Sequence, residues 1–99
     1  MDPLAFADSV EKSEPPAGLS VALQALWWDA KGDWQRAHAV VQEEDDPDSA
    51  WVHAYLHRQE GDLANAGYWY RRASKPMFNG PLDDEWAAIV GALLLPKPQ

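Results

Sequence analysis

Residues 60–73 read EGDLANAGYWYRRA, and residues 31–44 read KGDWQRAHAVVQEE. Set one above the other on their Gly-Asp pairs, the two stretches repeat at one offset: Gly61 minus Gly32 is 29, and Asp62 minus Asp33 is 29. The same offset pairs Ala25 with Ala54, Leu26 with Tyr55, Trp34 with Leu63, Ala37 with Ala66 and Val41 with Tyr70. Gly-Asp carries local instructions. Glycine takes the left-handed conformation that ends a helix, and the aspartate side chain accepts the amides that open the next one. Each copy therefore reads as two antiparallel helices joined by a very short turn. Small residues at Ala37 and Ala66 let the paired helices come close.

Helical periodicity runs outward from both turns. Leu19, Ala22, Leu23, Leu26, Trp27 and Ala30 form one apolar stripe, and Trp34, Ala37 and Val41, with Val40 more weakly, form the next. In the second copy Trp51, Val52, Tyr55 and Leu56 precede the glycine, while Leu63, Ala66, Tyr70 and Ala73 follow it. Asp46-Pro47 reads as a cap with proline in the first turn, and Lys75-Pro76 as a stop. Beyond a loop at MFNGPL, Asp83 or Asp84 opens a further helix carrying Leu82, Trp86, Ile89, Val90, Leu93 and Leu94, which Pro96 ends. Asp2-Pro3 caps a short helix through Val10, and Ser13 to Pro16 is a linker. Ser20 and Ser49 both read as helix caps. The expected fold is all-α in a single domain, 1–99: an N-terminal segment and linker (1–18), hairpin 1 (19–45), hairpin 2 (46–75) and a C-terminal capping helix (82–95).

The phrase Gly61-Asp62, Ala66, Trp69-Tyr70-Arg71-Arg72-Ala73 resembles the tetratricopeptide-repeat superfamily, and its Sel-one-like branch most of all. The resemblance covers residues 19 to 75. It implies stacked helix hairpins and a protein-binding surface. The period of 29 is shorter than the about 34 residues of tetratricopeptide repeats. The proline that commonly closes a repeat gives way to Glu43-Glu44-Asp45-Asp46-Pro47. With two copies where solenoids use at least about three, the last helix is expected to act as a cap. Leu93, Leu94 and Leu95 exceed what one stripe buries. They point either to packing beneath the N-terminal segment, the favoured arrangement in so small a domain, or to a second chain, so the chain is expected as a monomer or homodimer.

The composition bounds function. A net charge of -8 repels nucleic-acid phosphates and anionic membranes. The absence of cysteine excludes disulfides, thiolate metal sites and cysteine nucleophiles. MDPLAFADSVEK lacks the basic start of a secretory signal, and the apolar run at 86–95 is too short to span a bilayer. A cytoplasmic protein is expected. No Ser-His-Asp pattern, phosphate loop or nucleophile elbow is present. An enzyme is not expected, and no catalytic residue or cofactor is assigned.

His53-Ala54-Tyr55-Leu56-His57 is the sharpest chemical candidate. Histidines four apart share a helix face, the spacing with which two imidazoles grip zinc. No Glu follows His53, so the metalloprotease pattern is absent. Glu60 lies near the same face, and His38 of the other hairpin is placed to join. Against this, the repeat sets His57 where Trp28 stands and His53 where Gln24 stands, so packing between helices is the plainer use. The acidic run Glu43 to Asp48 lacks calcium-loop spacing and reads as a solvated, capping turn.

The resemblance also implies a ligand-facing side, lined by the first helix of each hairpin. Carried over from Gly61, that side holds Trp51, Tyr55 and Arg58, residue types common in interface hot spots. The alternative is that Trp51 and Tyr55 pack on the terminal helix. Within Trp27-Trp28 and Tyr68-Trp69-Tyr70, neighbours differ by roughly 100° on a helix, so each group must turn at least one ring away from the core. The leading expectation is an interaction module that takes a protein or peptide, basic for preference. Metal or small-ligand binding at His53 and His57, and self-association, are the alternatives.

Overall fold

A computed structural model describes residues 1–95 of the chain. It contains six helices: α1 (Pro3–Ser9), α2 (Val21–Ala30), α3 (Trp34–Val41), α4 (Pro47–Gln59), α5 (Leu63–Ala73) and α6 (Leu82–Leu94). No strand occurs among the described residues. The helices α2 and α3 pair as one hairpin and α4 and α5 as the other, so the all-α, two-hairpin architecture stands. Pro96 lies outside the described residues.

The two turns are built alike. Gly32 and Gly61 adopt φ of +91° and +87°, a backbone region in which a Cβ is strained. The Asp33 amide donates to the Trp28 carbonyl and the Asp62 amide to the His57 carbonyl, each at 2.9 Å. These are the long reach-back bonds of a Schellman termination. The same aspartates then open the next helices, their carboxylates accepting from the amides of Arg36 at 3.0 Å and Asn65 at 3.2 Å. One dipeptide thus closes one helix and starts another. Residues paired by the 29-residue offset are buried in pairs: Ala25 and Ala54, Leu26 and Tyr55, Ala37 and Ala66, Val41 and Tyr70. Trp34 and Leu63 break the pattern, since Trp34 is half-buried and Leu63 exposed.

Caps at the other starts follow the sequence with two corrections. Asp2, Ser20 and Asp46 accept from the amides of Ala5, Leu23 and Ser49, so Asp46 caps α4. Ser49 is inside α4, its hydroxyl buried and not acting as a cap. The last helix begins at Leu82, with Pro81 in the cap position and no side-chain cap. Proline presets the backbone there, and Asp83, Asp84 and Glu85 meet the positive helix end from within the first turn.

The terminal helices close the core. Phe6, Leu23, Leu26, Trp27, Val41, Val52, Leu56, Ile89 and Val90 form one cluster, with Leu93 and Leu94 against it. The helix α6 touches α1, α2 and α4. It lies on the first helices of both hairpins, the side that a tetratricopeptide-like groove would leave open. Phe6 and Trp86 meet at 5.8 Å between ring centroids. The indole N–H of Trp86 donates to the Leu26 carbonyl, and that of Trp27 to Ser9 Oγ. The Lys31 ammonium fastens the N-terminal segment by donating to the carbonyls of Val10 and Lys12. Of the three terminal leucines, Leu95 alone is largely exposed. The adjacent aromatics divide as helix geometry requires: Trp27 and Tyr70 are buried, Trp28 and Trp69 half-buried, and Tyr68 exposed.

Candidate metal centre

The two hairpins meet along α3 and α4, and three histidines converge on that seam. His53 and His57 share one face of α4, being four residues apart, and His38 enters from the last turn of α3. One ring nitrogen from each lies within 4.8 Å of the others. The Nε2 atoms of His38 and His53 are 3.0 Å apart. Two nitrogens each about 2.0–2.1 Å from a tetrahedral ion stand about 3.3 Å apart, so binding needs only a small opening of this pair. The repeat explains why the first hairpin does not form a second such cluster among the described residues. At the positions equivalent to His53 and His57, the first hairpin has Gln24 and Trp28.

The neighbours of the trio orient it. His57 Nδ1 donates to Glu60 Oε1 at 2.6 Å, which leaves Nε2 as the nitrogen with a free lone pair. A carboxylate on the far nitrogen is the usual support of a metal-bound imidazole, fixing its tautomer and raising its basicity. The ring of Trp69 stacks on His53 at 3.9 Å and 16°. The ring of Trp34 stacks on His38 at 5.0 Å and 7°, and its indole N–H is taken by the Leu56 carbonyl at 3.0 Å. His53 is 4% exposed, and its Nδ1 has no hydrogen-bond partner. An orphan lone pair is tolerated more readily than an orphan N–H. The His53 proton is therefore assigned to Nε2, which donates to His38 Nε2 in the metal-free protein. A metal ion bound at His53 Nε2 requires the other neutral tautomer, with the ring proton moved to Nδ1.

The surroundings disfavour charge on two of the rings, His53 and His38. Burial, then the nearby His38 and His57, push the His53 pKa down to about 4. Burial and His57 also lower that of His38, against a smaller opposing pull from Glu60. Neutral imidazole is the ligating form, so protons compete weakly at His53 and His38 near neutrality.

Of the residues expected on a partner-facing surface, Tyr55 is buried and Trp51 and Arg58 are half-buried. Tyr55 is 2% exposed. The Arg58 guanidinium donates to Glu85 Oε1 at 2.9 Å and to the Gly80 carbonyl, while the Tyr70 hydroxyl donates to Glu85 Oε2. Glu85, 1% exposed, thus joins α6 to α4 and α5. Its burial raises its pKa, with Tyr70 and Arg58 pulling the other way. Trp51 is half-buried under the Lys75 ammonium, 4.3 Å from its ring. It lines a cavity of about 340 Å³ with Met77, Phe78 and Glu85.

Sequence reasoning brought His38, His53, His57 and Glu60 together but missed Trp34, Trp69 and Glu85. Trp34 could have been found, being four residues before His38 on one helix face. Glu85 carried a signal too, as an acidic residue four before Ile89 on the apolar stripe of α6. Trp69 stands one residue off the Ala66–Tyr70 stripe, and its stacking depends on how the hairpins dock. Compared with protein-family models, with curated proteins and with solved structures, the chain matches none.

Proposed function

We propose that this protein binds a divalent transition-metal ion, of the zinc, nickel or copper type, through His38, His53 and His57, with Glu60 supporting His57. The convergence of three ring nitrogens within 4.8 Å at the seam between the hairpins carries the reading. Imidazole donors suit these borderline ions, while magnesium and calcium require oxygen. The hairpins serve as the frame, because the ligands come from both and neither alone assembles them. Isothermal titration with zinc tests the proposal. One ion per chain should bind, with loss of binding in His38→Ala and His53→Gln. Absence of heat at every zinc concentration would end it.

A second reading is a module that binds a protein or peptide, as the resemblance to tetratricopeptide and Sel-one-like repeats implies. Exposed Leu63 and Tyr68 on α5, with Trp51 and Lys75 at the edge of the cavity, support it. Tyr55 and Arg58 would then serve from within, holding α6 in place. Affinity capture with the chain and its Trp51→Ala variant tests this reading. Equal capture of every protein by both would remove Trp51 from it.

A further inference from the structure

We infer that the metal centre is of the open kind: the protein fills three positions, and the remaining one takes a small monodentate anion such as hydroxide, bicarbonate or a carboxylate. The inference rests on the proposed metal site and specifies what that site receives.

The donor count comes first. Among the described residues, the ligand group that contains His38 and His53 is completed by His57 and by no other histidine, cysteine or carboxylate. Glu60 is engaged at His57 Nδ1. It groups instead with His57 and Asp62, on the outer edge of the turn. Zinc sites with four protein ligands are structural; those with three keep a position for water or substrate.

The walls supply the second argument. Trp69 covers His53 and Trp34 covers His38. Both present ring faces to the histidines they cover, and the Trp34 indole N–H is already committed to Leu56. His38 is the half-exposed member of the trio, so the approach runs past its ring. An indole against each of two ligands crowds the remaining position, which favours a small ligand over a bulky one.

Charge then chooses the class. Imidazoles coordinate as neutral rings and leave a bound dication its full charge, with Glu60 as the one carboxylate bonded to a ligand. An anion in the remaining position relieves that excess, and water bound there loses a proton more readily than in bulk. The site therefore has the elements of a metal-hydroxide or metal-carboxylate centre, and amines or organic cations are disfavoured there.

Cobalt(II) makes the prediction visible. The protein is loaded with cobalt(II), its visible d–d bands are recorded, and sodium azide is titrated in. The bands should shift along a single saturable curve, and bicarbonate or acetate should reverse the azide effect. Bands that appear but stay unchanged at saturating azide would overturn the open position and leave the metal site standing. Absence of any bands would overturn the metal site itself. The Glu60→Gln variant gives an independent check. It should keep an azide-dependent shift, whereas azide sensitivity that appears only in this variant would make Glu60 the fourth ligand and refute the inference.

Discussion

Acid should weaken the metal-free fold through His53 in particular. Three elements face this ring: α3 brings His38, α4 and its C-terminal cap bring His57 and Glu60, and α5 brings the stacked Trp69. The unfolded chain holds the proton with the ordinary value of 6.5, whereas the folded chain holds it at about 4. A group whose folded value is depressed gives stability that is whole above the unfolded value and is lost as pH falls toward the folded one. The drop from 6.5 to about 4 is worth roughly 3 kcal/mol in the acid limit. At about pH 5 the unfolded ring is almost all charged and the folded ring mostly neutral, so the loss there is roughly 2 kcal/mol. The assay is urea unfolding of the metal-free protein at about pH 7.5 and about pH 5, compared with His53→Gln. Carboxylate titration is common to both proteins and cancels in the comparison. The wild type should lose roughly 2 kcal/mol more than the variant. Equal losses would show that the ring is not desolvated between the hairpins, and the seam geometry would then be wrong.

Three further outcomes follow from the same structure. Gly61→Ala should cost about 1 kcal/mol by thermal unfolding, since φ is +87° and an added Cβ meets nothing within 4 Å, leaving backbone strain alone; an unchanged midpoint would contradict the left-handed turn. Arg58→Ala should cost about 3–5 kcal/mol in urea because it strands the buried Glu85. Pairing it with Glu85→Leu should recover most of that loss, while an unaffected single variant would place Arg58 on a free surface. Glu60→Gln should weaken zinc binding by roughly 10- to 100-fold in calorimetry with little change in folding, and an unchanged affinity would remove Glu60 from behind His57.

The turns were legible because their information is local. Gly32-Asp33 and Gly61-Asp62 each determine a helix end and a helix start within a few residues, so a 29-residue offset suffices to draw two hairpins. Helix starts with competing caps were less legible. Asp46 precedes Ser49 by one turn and captures its amide, and Pro81 sets the backbone ahead of Asp83 and Asp84. Of the metal centre, the His53–His57 pair could be read from one helix, whereas the reach of His38 and the stacking of Trp69 depend on how hairpins dock. Tyr55 and Arg58 show the same limit. Periodicity placed them on one face of α4, but what covers that face is α6, which joins after the loop at residues 74–81. Long-range closure of this kind leaves no periodic trace in the sequence of α4.

X-ray absorption at the zinc edge of the loaded protein tests the central claim most directly. It should resolve three imidazole nitrogens at about 2.0–2.1 Å and one further, non-imidazole oxygen or anion donor completing the shell. A shell made of oxygens alone, or one with a single imidazole, would contradict a centre built from His38, His53 and His57.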